Sequence, residues 1–480
     1  MSRSAHPAGP RHADVLPEPA HGAPPSELDL LDPVIWPASA ERIDGELHLG
    51  GLAVTEIARR HSTPTIVLDE GDVRARALAF VEAFAGADVF YAGKAFLCTA
   101  MARWVDEAGL GLDVCSGGEL AVALRAGFPT ARIAVHGNNK SVAELRRAVE
   151  SGVGRVVVDS LIEIERLAEI AAAAGVRQGV LVRVTVGVEA HTHEFIATAH
   201  EDQKFGLSVA GGQAAEAVAA ILEQPSLELL GLHSHIGSQI FLTDGFEVAA
   251  HRLVRLLGQI RDQHGVELPE IDLGGGLGIA YVAGDDPAPI KDIAARLLEI
   301  IDQECAAAGL RVPRVSVEPG RAIVGPGGVT VYEVGTVKPV SMDGRTVRTY
   351  VSVDGGMSDN IRTALYDAEY TVVLANRAST AAPMLTRVVG KHCESGDIVV
   401  RDAWLPADVV PGDLLAVAAT GAYCRSMASN YNFVPRPPVV AVKGGRDTIL
   451  VRRETEDDLL GLDTQLGLSP VQSKTAIDNS

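Results

Sequence analysis

Lys94 ends the short apolar stretch Asp88-Val89-Phe90-Tyr91-Ala92-Gly93, and an amine in that position is equipped for carbonyl chemistry. Apolar walls at the end of a buried strand disfavour the charged ammonium, so the sequence predicts a lowered pKa and a free amine able to form a Schiff base. A lone strand-end lysine more often snorkels into solvent. The chemical reading therefore depends on which other groups the chain brings to the same place.

Three further motifs bear on it. Asp272-Leu273-Gly274-Gly275-Gly276-Leu277-Gly278 sets glycines directly after a strand, where backbone N–H groups can approach an anion such as a phosphate without side-chain obstruction. A plain tight turn would look the same. Ser238, after another strand, offers a hydroxyl to that anion. Glu318-Pro319-Gly320-Arg321 carries an acid and a base across a turn. On a surface this is a local ion pair of little value; at a buried mouth the glutamate can hold a pyridine nitrogen protonated, while His235 stacks on the ring. Interior hydrogen bonding is the plainer role for an isolated histidine. Lysine, anion cradle, ring-nitrogen acid and imidazole together are what a pyridoxal 5′-phosphate site requires.

These residues need elements that converge. Between Thr65 and Val324, apolar strands alternate with amphipathic stretches, and after a lead-in strand at Thr65 to Leu68 eight strands are expected: Val89 to Gly93, Gly111 to Val114, Arg132 to Val135, Arg155 to Val158, Val180 to Val184, Leu227 to Leu232, Glu270 to Leu273 and Arg314 to Val317. Helices are expected over Ala95 to Glu107, Gly118 to Ala126, Val142 to Glu150, Leu161 to Ala174 and Ile290 to Ala308. The pattern predicts an α/β fold, a (β/α)8 TIM barrel, in which chemistry gathers at the C-terminal strand ends. A doubly wound open sheet is the competing arrangement, although its single Gly-rich fingerprint after the first strand is missing. Nearly every expected strand ends in a polar group, among them Lys94, Asp113, His136, Asp159, His233 and Glu318.

Beyond Val329 the pattern becomes short alternating strands, as in Val329 to Val337, Thr346 to Val353, Arg387 to Val389 and Leu414 to Ala418, which predicts a second, mostly antiparallel β domain. The expected organisation is a disordered tail over 1–34, N-terminal strands over 35–64 joining the β domain, a cofactor-binding barrel over 65–328, the β domain over 329–457 and a flexible tail over 458–480. The piece from Ile43 to Leu52 reads as a hairpin that borrows partner strands from that domain.

The chain has 480 residues, 47% of them apolar, and a formal charge of -20, which argues against nucleic acid as a partner because phosphate backbones are held by clustered Lys and Arg. No apolar run is long enough to span a bilayer, so no membrane partner is expected. Five cysteines without CxxC spacing predict reduced thiols, a cytoplasmic location and no metal site.

Tyr91-Ala92-Gly93-Lys94-Ala95, His235-Ile236-Gly237-Ser238-Gln239, Gly274-Gly275-Gly276 and Glu318-Pro319-Gly320-Arg321 resemble the barrel-type (fold-type III) pyridoxal-phosphate amino-acid decarboxylases. The more discriminating motifs are Asn360-Ile361-Arg362-Thr363-Ala364-Leu365-Tyr366, Cys393-Glu394-Ser395-Gly396-Asp397 and Gly421-Ala422-Tyr423, which are similar to the branch acting on meso-diaminopimelate. The resemblance covers roughly Ile35 to Leu460.

It implies that Lys94 carries the cofactor and that His235, Ser238, Gly275, Gly276, Glu318, Gly320, Arg321 and Tyr423 surround it. It further implies that Arg321, Arg362 and Tyr366 hold the distal carboxylate of meso-diaminopimelate, with Tyr423 touching both cofactor and substrate. Glu394 is implied to take the distal ammonium and Cys393 to donate a proton, both from the neighbouring subunit of a homodimer with composite sites. The implied product is L-lysine with carbon dioxide, the last step of lysine biosynthesis. Gly93 and Phe96 stand where many relatives carry a larger residue and Asn. A decarboxylase of arginine, ornithine or carboxynorspermidine, a racemase using Tyr423, and a binding protein without chemistry are the alternatives. Two arginines with a tyrosine favour a carboxylate-bearing distal end over a diamine.

Overall fold

In the computed structural model, which describes residues 24–25, 27–187, 204–241, 244–341 and 347–464, eight parallel strands close into a barrel. They are β1 (Asp88–Ala92), β2 (Gly111–Val114), β3 (Ile133–Val135), β4 (Arg155–Val158), β5 (Gln178–Thr185), β6 (Leu227–His233), β7 (Glu270–Asp272) and β8 (Arg314–Val317). Each pairs with the next, and β8 pairs with β1 to complete the ring. A two-residue strand, Leu207–Ser208, adds to β5. The strands read as unbroken apolar runs because both faces are buried, inward on the barrel and outward on the helices.

The helices begin and end where local chemistry requires. Ser116, Ser141 and Ser160 accept N–H groups at the starts of Gly117–Ala126, Val142–Ser151 and Leu161–Ala174, and Glu144 returns the bond to Ser141 in a capping box. The helix expected from Ala95 starts instead at Thr99, because Gly93–Ala95 forms a 3-10 turn. Tyr91 secures that turn by donating its hydroxyl to the Phe96 carbonyl at 2.7 Å. A Cβ on Gly93 would stand 2.9 Å from the Asp113 carbonyl oxygen, so glycine permits the tight exit from β1 that places Lys94.

The second sheet is built around the long strand Gly328–Ser341, which pairs antiparallel with Val347–Val353, Leu414–Ala418 and Thr65–Asp69. Thr65–Asp69, the lead-in to the barrel in sequence, is thus a strand of this second sheet, where it also runs parallel to Val439–Lys443. The expected hairpin near Ile43 is a separate three-stranded sheet of Glu41–Ile43, Glu46–Leu49 and Leu52–Ala53. It borrows packing rather than a strand edge: Leu47, Leu49 and Leu52 share a core with Val329, Val331 and Leu414, and one backbone bond joins Leu47 N–H to the Ala375 carbonyl at 2.8 Å.

Residues 1–23 and 465–480, the larger part of both expected tails, and Thr346 lie outside the described residues. Where the C-terminal tail is described, Thr455 and Asp458 cap a short helix at Glu456–Leu460. Among the described residues no helix is long and apolar enough to cross a membrane.

Candidate active site

The C-terminal ends of the barrel strands open into a cavity of about 650 Å³, bounded on its far side by segments of the second domain. Lys94, His235, Ser238, Gly276, Glu318, Gly320, Arg321, Arg362, Tyr366 and Tyr423 all line it. Gly275 sits beside it, its N–H donating to His235 Nδ1 at 3.2 Å. Barrel closure brings seven of these ten sequence-selected residues to one mouth, and the second domain adds Arg362, Tyr366 and Tyr423. Cys393 and Glu394 stand elsewhere: both are exposed, and Glu394 accepts a 2.5 Å bond from the Tyr431 hydroxyl.

Glu318 forms the floor. It is buried between two imidazoles, with His136 Nε2 at 2.9 Å from one carboxylate oxygen and His233 Nε2 at 3.3 Å from the other. Burial alone would push its pKa up, but the two histidines outweigh that and hold Glu318 well below the usual carboxylate range. Burial pushes His233 down to about 4. His136, His233 and Glu318 also form a compact set of potential metal donors, of which Glu318 alone lines the cavity and is held by His233 through a hydrogen bond and by His136 as an ion-pair partner. Glu318 and Arg321 do not form the local ion pair that their spacing permits.

Lys94 is half-buried and faces the cavity. The expected lowering of its pKa is overturned. Burial does push the amine down, but Asp113, then Cys115, Tyr423 and Glu318, favour the ammonium more strongly, and the net shift is upward. Asp113 comes from the neighbouring strand β2, a spatial partner that apolar flanks in sequence do not reveal.

The glycine turn after β7 fits an anion cradle. Gly276 has φ +107°, and a Cβ there would fall 2.2 Å from the Gly237 carbonyl oxygen. Only glycine fits between the loops that follow β6 and β7.

The cavity's opposite wall is cationic. Arg321 is buried; one Nη donates to the Tyr281 hydroxyl and the other to Ser238 Oγ at 2.8 Å. Arg362, from the short helix Arg362–Tyr366, is buried as well and donates to the Tyr370 hydroxyl at 2.5 Å. Among the described residues neither guanidinium has a carboxylate partner. Two buried cations without a carboxylate partner can accept an anion. Tyr423 takes the left-handed backbone conformation, φ +66°, unusual for an aromatic residue. Its N–H donates to the Ala95 carbonyl at 2.8 Å and its ring lies 4.7 Å from the Arg321 guanidinium carbon, tying the second domain to the turn that bears Lys94.

His136 and His233 were visible as polar strand ends but carried no assigned role, whereas Tyr281 and Tyr370 had no signal at all. Tyr281 follows the glycine turn and Tyr370 belongs to the second domain, so only tertiary structure unites them.

Comparison with known proteins agrees with this geometry. Residues 70–325 match the family model described as "Pyridoxal-dependent decarboxylase, pyridoxal binding domain". The diaminopimelate decarboxylase of Mycobacterium tuberculosis (strain ATCC 25618 / H37Rv) is 58% identical over 446 residues, covering 92% of this chain and 100% of that protein. The Bacillus subtilis (strain 168) diaminopimelate decarboxylase is 44% identical over 429 residues, 88% of this chain and 97% of that protein. A crystal structure of diaminopimelate decarboxylase from M. jannaschii in co-complex with L-lysine superposes with a TM-score of 0.82 at 30% identity, covering 89% of this chain and 98% of that one. With a cavity that joins a strand-end lysine, an ionised glutamate, a glycine cradle and two unpaired arginines, and with relatives matched over nearly their full length, this chain belongs to the diaminopimelate decarboxylases, within the pyridoxal-dependent decarboxylase family.

Proposed function

We propose that the cavity is the active site and that its residues divide the decarboxylation of meso-2,6-diaminopimelate, to L-lysine and carbon dioxide, as follows. The observation that carries this reading is the convergence of Lys94, ionised Glu318 and the two carboxylate-free arginines on one cavity. The residues fit pyridoxal phosphate: the crowded Gly276 turn with Ser238 suits its phosphate, the buried carboxylate of Glu318 suits its ring nitrogen, and His235 suits its ring face. Gly275, Gly320 and Arg321 complete the walls. When bound, the cofactor supplies an electron sink for the pair released as a carboxylate leaves as carbon dioxide.

Lys94 would be the amine that holds the cofactor. Its neighbour Asp113 favours the charged form of the amine whenever that amine is free. Glu318 would supply a negative charge to the ring nitrogen of a bound cofactor, and its two histidines hold the carboxylate in place without reorganisation. Arg321, Arg362 and Tyr366 bind the distal carboxylate, with Tyr423 bridging toward the cofactor. This wall selects a substrate that keeps a carboxylate at the end remote from chemistry.

Protonation of the reacting carbon and recognition of the distal ammonium require groups that this wall lacks. We assign them to Cys393 and Glu394 of a second copy of the chain, which makes the functional unit a symmetric homodimer with composite sites. Their exposure, next to exposed Tyr431 and Phe433, supports this reading. The barrel binds the cofactor and the β domain supplies Arg362, Tyr366 and Tyr423, with Thr65–Asp69 counted in the sheet of the β domain rather than in the barrel. Five free cysteines suit a reducing compartment, and we place the protein in the cytoplasm.

Mixing Lys94→Ala chains with Cys393→Ala chains tests the composite site. Each parent is expected to be inactive, and subunit exchange is expected to restore activity through the one intact site of the mixed dimer. Absence of any recovery, with mixed dimers verified by mass, contradicts it.

A further inference from the structure

The two arginines of the cavity are held by one another's neighbours rather than by carboxylates. The Tyr281 hydroxyl accepts from Arg321, and the Tyr370 hydroxyl accepts from Arg362. The two phenol rings meet edge to face, with centroids 5.3 Å apart and planes at 83°. Tyr281 serves both cations: its ring centroid is 5.8 Å from the Arg321 guanidinium carbon and 4.9 Å from that of Arg362. Like charges brought together in a buried wall repel one another, and an electron-rich ring near both reduces that cost.

Tyr281 is also fixed at its backbone from both domains. Its N–H donates to Asp285 Oδ2 at 2.8 Å, in the loop that follows the glycine turn of β7. Its carbonyl accepts the Thr371 hydroxyl at 2.8 Å, next to Tyr370 in the second domain. The side chain is largely buried in the cavity wall. One side chain thereby sets the distance between a barrel arginine and an arginine of the second domain. A carboxylate shared by two guanidinium groups is sensitive to that distance.

We propose that Tyr281 is a positioning residue that sets the spacing of Arg321 and Arg362, with Tyr370 bracing it, and so determines the preference of this site for a ligand bearing a distal carboxylate. The inference rests on the assignment of the two arginines to that carboxylate.

The test compares L-lysine with 1,5-diaminopentane, which differ by that carboxylate alone, as ligands of the pyridoxal-phosphate-loaded enzyme. Dissociation constants are measured for the unmodified protein, Tyr281→Phe, Tyr281→Leu, Tyr370→Phe and Arg362→Met. Tyr281→Leu loses both ring and hydroxyl, and its preference for L-lysine is expected to fall about tenfold. Tyr281→Phe keeps the ring and is expected to lose about threefold, a partial rescue by the conservative variant. In both, KM for meso-diaminopimelate rises by a larger factor than kcat falls, and the visible absorbance of the loaded enzyme is unchanged. Full preference in a folded, loaded Tyr281→Leu enzyme, with preference lost in Arg362→Met, overturns the role of Tyr281 and leaves the arginine assignment standing. Full preference in Arg362→Met removes the arginine assignment and this inference with it. Should Tyr281→Leu fail to fold or load, unchanged preference in both phenylalanine variants overturns the proposal.

Discussion

Lys94→Ala is expected to lower turnover on the order of 10³-fold or more and to remove the visible absorbance of the loaded enzyme. The size of the effect follows from the position of the amine. Lys94 leaves β1 on a 3-10 turn that Gly93 makes possible, faces the cavity, and lies within the field of Asp113, Cys115, Tyr423 and Glu318. No other lysine lines the cavity apart from Lys94 among the described residues. Alanine leaves the barrel core intact, because Lys94 lines the cavity and is not part of the apolar core. Folding, read by circular dichroism, should therefore be retained while chemistry is lost. A variant that kept the absorbance band would show that another amine holds the cofactor.

Glu318→Gln is expected to reduce kcat by about 10²–10³-fold while the protein still takes up pyridoxal phosphate. The substitution preserves shape and removes charge. Glu318 is an ionised group in a buried site, kept that way by His136 and His233 against the upward push of burial. Glutamine provides no negative charge to balance a protonated ring nitrogen, so the loss appears in the chemical step more than in KM. The sign of the pH effect is also defined. A carboxylate with a folded-state pKa below its unfolded value contributes stability that is present above the unfolded pKa and lost as acid drives pH down through the folded one. Buried neutral His233, with its pKa pushed down to about 4, acts in the same direction between its unfolded value and that point. A variant with unchanged kcat would remove Glu318 from the reaction.

The barrel was legible because its strands are buried on both faces. Gly111–Val114, Arg155–Val158 and Arg314–Val317 fall on the residues where an apolar run between amphipathic stretches predicts them. Polar residues at the strand ends likewise stood out against those runs, and barrel closure is what turns them into one mouth. Thr65–Asp69 was less informative, since a short strand buried along its whole length reads alike in a barrel or in a second sheet, and only its partners Gly328–Ser341 and Val439–Lys443 decide. The charge of Lys94 was misjudged for a related reason. Its apolar neighbours in sequence lower its pKa, but Asp113, legible as a polar strand end without its effect on Lys94, acts more strongly in the other direction from the adjacent strand. The glycine triplet announced a close backbone approach, whereas Tyr281, a few residues further on, is an ordinary loop aromatic until the second domain packs Tyr370 and Arg362 against it. Long-range placement of this kind leaves no periodic trace in the chain.

Carbon dioxide release by the purified, pyridoxal-phosphate-loaded protein, with meso-diaminopimelate, lysine, ornithine and arginine supplied separately and the products identified by amino-acid analysis, tests the assignment of chemistry and of the arginine wall together. Release from meso-diaminopimelate with L-lysine formed, and none from the other three, is the expected result. Release from ornithine, lysine or arginine instead would contradict the assignment of Arg321 and Arg362 to a distal carboxylate, and release from none of them would contradict decarboxylation itself.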